Sequence, residues 1–145
     1  MAMLTVLLLS AGKLKNVLFL LQTIIFWHVF SMTGLVFLSP IQNNCLQLGG
    51  NLASIHSLAE ERFLLSMSLT GSDAGITWIG GNDAVQEGVW LWSDGSKFSY
   101  QNWSRGQPSN FNNRENCMEI NYGADRGKND AACWHKFPFL CSRKL

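Results

Sequence analysis

The chain has 145 residues, with 11 Lys and Arg against 10 Asp and Glu and a formal net charge of +1. That length suits one domain and is short for two. The near balance, without a long run of either sign, excludes an electrostatic case for nucleic acid or an acidic substrate, so partners must be sought in local chemistry.

From Met1 to Pro40 only Lys13 and Lys15 are charged. The uncharged stretch 17–39 is long enough to cross a bilayer as a helix. No charge follows Lys15 until Glu60, so the positive-inside rule keeps the N-terminus cytosolic and the remainder outside. The competing expectation takes "MAMLTVLLLSA" as the apolar core of a secretory signal that lacks a positive n-region. Either way the expected division is an apolar segment 1–44 and an exterior domain 45–145, secreted or anchored as a type II membrane protein.

The second part is rich in Gly, Asn, Ser and Trp and holds all four cysteines, at 45, 117, 133 and 141. None forms a C-x-x-C pair, which disfavours a zinc ribbon and favours a disulfide framework in an oxidising compartment. Three pairings are open. One of them, Cys117 with Cys133, would close a loop of about 15 residues and contribute roughly 3 kcal/mol.

Ser57-Leu58-Ala59-Glu60 is a capping box that predicts a helix over about Leu58 to Ser68, with Ala59, Phe63 and Met67 as its buried stripe and Thr70-Gly71 ending it. "GITWIGG" predicts a buried strand, and "VWLWSDGSKFSY" a strand, an Asp94-Gly95 turn and a second strand. Trp78, Trp90 and Trp92 alternate with strand formers and are assigned to the core. Residues 102 to 116 form a long irregular stretch of the kind that carries function. "CMEINYG" and "FPFLCS" predict two further strands around a polar link that contains Lys128-Asn129-Asp130.

"LGGNLASIHS", "TWIGGND", "VWLWSDGS", "YQNWSRGQPS", "ENC", "ND" with Cys133 three residues on, and "FPFLC" together resemble a C-type lectin domain, closest to small fish lectins and type II antifreeze proteins. The likeness covers nearly all of Cys45 to Leu145. It implies an α+β fold, the mixed α/β double loop, with two disulfides, Cys45 with Cys141 and Cys117 with Cys133. The family's first strand and the W-x-x-A start of its first helix are missing from the motifs, because "SMTGLVFLSPIQNNC" stands there and Pro40 disfavours a continuous helix. The resemblance therefore implies an unpartnered closing strand near Phe139. Such an N-terminus reads either as an altered or misassembled leader or as a genuine anchored variant.

The resemblance also implies a calcium site. Calcium takes six to eight oxygens from carboxylates, carbonyls and water. The family's ligand positions fall on Gln107, Ser109, Glu115, Asn129 and Asp130, with Pro108 as the cis-proline. Vicinal sugar hydroxyls complete the ion's shell on the same side chains. Gln107 matches the galactose-type pattern, and Phe111 stands where galactose binders place a stacking aromatic. Ser109 brings a neutral hydroxyl where a carboxylate or amide is usual, and Lys128 replaces a tryptophan and sets a cation near the site. A second family site would fall on Asp83, Glu87, Asn110 and Asn116. Asn102-Trp103-Ser104 is a formal N-glycosylation acceptor.

His56 and His135 stand in no triad or zinc context. The function these features imply is a calcium-dependent, galactose-type lectin of innate recognition rather than an enzyme, with glycans as partners. The alternative is a lectin-like protein without sugar binding, such as an ice-binding or protein-binding relative.

Overall fold

The computed structural model describes residues 23–28, 38–68 and 75–144. Its elements in chain order are β1 (Thr23–His28), α1 (Leu38–Gln47), β2 (Asn51–Leu52), α2 (Leu58–Ser68), β3 (Thr77–Asn82), β4 (Leu91–Trp92), a 3₁₀ turn (Phe111–Asn113), β5 (Cys117–Tyr122), β6 (Gly127–Ala131) and β7 (Phe139–Lys144). The strands form one sheet in the order β1-β7-β3-β5-β6, with β2 added to β7 and β4 to β3.

At the N-terminus the structure corrects the expectation of a missing first strand and helix start. Residues 23–28, inside the stretch expected to span a membrane, are extended and pair antiparallel with β7 from Thr23↔Lys144 to His28↔Phe139. "TIIFWH" carries β-branched and aromatic residues that suit a strand as well as a bilayer. The closing strand therefore has its partner, and the first strand is present. The helix leading to Cys45 is present too. Pro40 lies in the first turn of α1, where its missing N–H would have no acceptor in any case. The rest of 17–37 lies outside the described residues, and among the described residues no helix is long and apolar enough to cross a membrane.

Helix α2 begins where its cap predicts. Glu60 N donates to Ser57 Oγ at 3.2 Å, while the Glu60 carboxylate reaches back to His56 N at 2.7 Å, one residue earlier than a standard box. The buried face is not the predicted one. Ala59 is exposed and Phe63 half-buried, whereas Glu61 and Leu64 face the interior. Met67's side chain and Thr70-Gly71 lie outside the described residues.

Strand β3 is buried from Thr77 to Gly81, as a central strand should be. Its glycines admit the neighbours: a Cβ on Gly81 would come within 2.6 Å of Met118 on β5. The Asp94-Gly95 turn is present, with Gly95 at φ +75°. The strand expected after it does not form. The Asp94 carboxylate instead accepts hydrogen bonds from Ser96 N at 2.9 Å and Ser54 Oγ at 2.7 Å, and residues 96–100 make no strand pairing. Burial pushes Asp94 up, but these hydrogen bonds outweigh it and hold the group below the usual carboxylate range.

Two clusters make the core. Trp90 and Trp92 pack with Ile55, Leu64, Ile79, Met118 and Leu140, and Trp78 packs with Leu52, Phe139 and the half-cystines 45, 117 and 141. All three tryptophans are buried, as expected. Cys45 bonds Cys141, tying α1 to β7, and Cys117 bonds Cys133, tying β5 to the segment after β6. This is the pairing the resemblance implies.

Candidate functional site

The polar link expected around Lys128-Asn129-Asp130 is in fact β6, paired antiparallel with β5 so that Met118 faces Asp130 and Glu119 faces Asn129. All five of its residues are buried. Polar residues tolerate this because each finds a partner from a different direction. Lys128 sends its ammonium to Glu61 on α2, 3.5 Å away, and over the Tyr100 ring at 4.3 Å. It is fully buried and directed at α2, so the cation expected beside the site is spent elsewhere. Burial pulls the Lys128 ammonium down against the opposing pull of Glu61. Glu61 also accepts from Tyr100 Oη at 2.8 Å and Asn102 Nδ2 at 2.7 Å. The nitrogen a glycan would use on Asn102 is thus engaged with a buried carboxylate.

Gly127 lets the loop approach β6, since a Cβ there would meet Ser104 N at 2.9 Å, and Ser104 N donates to Lys128 O at 2.8 Å. From this anchor the chain turns at Gly106, φ +84°, and passes the cis Gln107-Pro108 bond. Two carboxylates then shape the segment from 109 to 115. Asp130 accepts Ser109 N at 2.9 Å and Asn110 N at 2.6 Å. Glu115 Oε2 accepts Phe111 N at 2.7 Å and Ser109 Oγ at 3.0 Å. Asn110, Asn112 and Asn113 take positive φ, a conformation asparagine tolerates better than most residues.

Gln107, Ser109, Phe111, Glu115 and Asn129 line one depression of about 330 Å³, together with Glu119, Tyr122, His135 and Phe137. Asp130 does not line it; its two oxygens are turned to the loop backbone. Phe111 is 69% exposed at the rim. His135 stacks on Phe137 with ring centroids 5.5 Å apart. Three oxygens in the depression's wall, Gln107 Oε1, Asn129 Oδ1 and Glu119 Oε2, are buried with no hydrogen-bond partner. Glu119 was not foreseen from sequence. Two residues beyond Cys117, it reads as an ordinary strand position. Burial first, then the charges of Glu115 and Asp130, push its carboxyl up to about 7, against the hydrogen bond from Asn129.

Among the described residues no group of three or more His, Cys, Asp and Glu forms a metal cluster. The oxygens here come largely from amides and a hydroxyl, a hard donor set that fits calcium rather than a soft metal. Buried oxygens left without donors are the local feature a cation would satisfy. At the second set of family positions, Asp83 accepts from Asn116 Nδ2 at 3.1 Å and Gly88 N at 2.9 Å, while Asn110 Oδ1 accepts Glu115 N at 3.3 Å.

Residues 38–143 match the family model described as the Lectin C-type domain. The chain is 48% identical over 105 residues to galactose-specific lectin nattectin of Thalassophryne nattereri, covering 70% of this chain and 64% of that protein. It is 48% identical over 99 residues to ladderlectin of Oncorhynchus mykiss, covering 67% and 52%. The chain thus spans between half and two thirds of the length of these curated relatives. Among solved structures, herring type II antifreeze protein superposes with a TM-score of 0.74 at 29% identity, covering 86% of this chain and 92% of that one. Motifs, disulfides, sheet topology and these matches converge: the chain belongs to the C-type lectin domain family.

Proposed function

We propose that this protein is an extracellular lectin that binds galactose-type glycans through a calcium ion held by Gln107, Ser109, Glu115, Asn129 and Asp130. The observation that carries the proposal is the convergence of buried, unpartnered oxygens on one depression beside a loop already folded around Glu115 and Asp130. When bound, calcium supplies open coordination positions for two vicinal sugar hydroxyls. The side chains orient those hydroxyls by hydrogen bonds. Gln107 and Asn129 contribute amide oxygens and Glu115 contributes charge; Asp130 would add a second charge by turning toward the ion an oxygen that accepts Ser109 N or Asn110 N. Phe111, exposed at the rim, offers a flat apolar face to the less polar side of galactose. Gln107 in the first ligand position and the galactose-specific relative both favour galactose over mannose.

Two disulfides suit an oxidising exterior. The role is recognition without covalent chemistry. Isothermal titration with galactose tests it: heat of binding that vanishes on chelation and returns with calcium is expected, and binding indifferent to chelation, or no binding, contradicts it.

A second proposal has a specific support. Ser109 leaves the site one charge short, and the fold is shared with an antifreeze protein. Ice binding predicts thermal hysteresis that galactose does not abolish.

A further inference from the structure

Glu119 lies outside the ligand positions that the family motif assigns, yet the site is built against it. Cross-strand register sets it opposite Asn129. It is only 2% exposed and lines the same depression as Gln107, Ser109 and Glu115. Its Oε1 accepts a hydrogen bond from Asn129 Nδ2 at 2.7 Å. Its Oε2 is buried and has no partner.

Elementary chemistry gives this arrangement two consequences. An ionised carboxylate can only accept, so it must take the amide nitrogen of Asn129 and not the oxygen. That fixes the amide's orientation and leaves Asn129 Oδ1, itself buried and unpartnered, for the depression. The second consequence concerns charge. Ser109 contributes a hydroxyl that is donated to Glu115. A cation in the depression would therefore meet fewer carboxylates among the motif positions than a site with an acidic residue at 109, and affinity for calcium rises with ligand charge.

We propose that Glu119 is a positioning and charge-supplying residue of the cation site: it holds Asn129 with its oxygen toward the ion, and its free oxygen restores the negative charge that Ser109 does not bring. The inference rests on the calcium-lectin reading above and goes beyond it by adding a residue that compensates for the chain's own departure from the motif. A purely structural Glu119 would instead serve the packing of β5 on β6 and leave calcium binding untouched.

The test is the thermal midpoint of the full chain against calcium concentration at pH 7.5, for the unaltered protein, Glu119→Gln and Glu119→Asp. Glu119→Gln keeps the shape and removes the charge, and Glu119→Asp keeps the charge and draws it back from Asn129. The unaltered protein should gain thermal midpoint as calcium is added. The calcium concentration at half effect should rise roughly 10- to 100-fold in Glu119→Gln, as for other groups that orient metal ligands, and by a smaller factor in Glu119→Asp. In EDTA the Gln variant should melt no lower than the unaltered protein, because the buried unpaired charge is gone. A calcium response with the same half-effect concentration in all three overturns the role of Glu119 alone. Absence of any calcium response in the unaltered protein overturns the calcium site and this inference together. If Glu119→Gln does not fold, terbium luminescence of Glu119→Asp decides: weakened binding supports the role, and binding equal to the unaltered protein overturns it.

Discussion

In the proposed calcium site, Ser109 is the side chain on which affinity turns. Its hydroxyl donates to Glu115 Oε2 at 3.0 Å, so a carboxylate in its place would lose that hydrogen bond and face a like charge. Ser109→Asp should therefore lower the thermal midpoint in EDTA and raise calcium affinity, by about tenfold or about 1.4 kcal/mol. Calcium titration with the melting curve as readout measures both signs at once. Glu119 makes a pH prediction in the metal-free protein. Its carboxyl is raised from 4.5 to about 7, so the folded state binds the proton more tightly than the unfolded chain. Its contribution to stability is full below about 4.5 and is lost as pH rises through about 7. Urea midpoints in EDTA should fall across that window, and the fall should be smaller in Glu119→Gln. The motif positions Gln107, Ser109, Glu115 and Asn129 were legible from their spacing, and the fold brings them to one depression. Glu119 was not, because its role depends on the cross-strand register that brings it to Asn129.

At the scale of elements, β6 and α2 share a buried ion pair that no sequence pattern announces. Lys128 and Glu61 sit 3.5 Å apart with both side chains out of solvent. Such a pair adds little over apolar residues of equal volume, yet removing one partner strands the other. Glu61→Ala should cost about 3–5 kcal/mol in urea unfolding, and Glu61→Leu combined with Lys128→Met should recover only part of that, because Tyr100 Oη and Asn102 Nδ2 lose their acceptor. The same pair explains two misread elements. Helix α2 turns Glu61 inward, so its buried stripe is displaced from Ala59, Phe63 and Met67. Strand β6 reads as a polar link because periodicity counts polar residues as solvent-facing, whereas inside the fold Lys128 faces Glu61, Asn129 Nδ2 bonds Glu119 and Asp130 bonds the loop backbone. The arm after Asp94-Gly95 fails to become a strand for a related reason: Asp94 binds the backbone and hydroxyl of Ser96.

Among the described residues the fold is closed by its first and last strands. β1 covers β7, and the Cys45–Cys141 bond, 96 residues apart in sequence, fastens α1 to that same strand. A cross-link over a loop of that length stabilises by about 4–5 kcal/mol through the unfolded chain. Replacing both cysteines by serine should lower the unfolding free energy by that amount, read from denaturant curves. The general fold was legible from Cys45 onward because motif after motif keeps its order. The first strand and helix start were not, since an uncharged β-branched and aromatic run suits a bilayer-spanning helix and a strand alike, and a proline is harmless in a first helical turn. All of this framework carries one loop, residues 104–116, against β6. The measurement that tests the account most directly is retention of the full chain on galactose-agarose and mannose-agarose with calcium, followed by elution with EDTA. Retention on galactose in preference to mannose, released by EDTA, is the predicted result; passage through both columns, or retention that EDTA does not release, would contradict it.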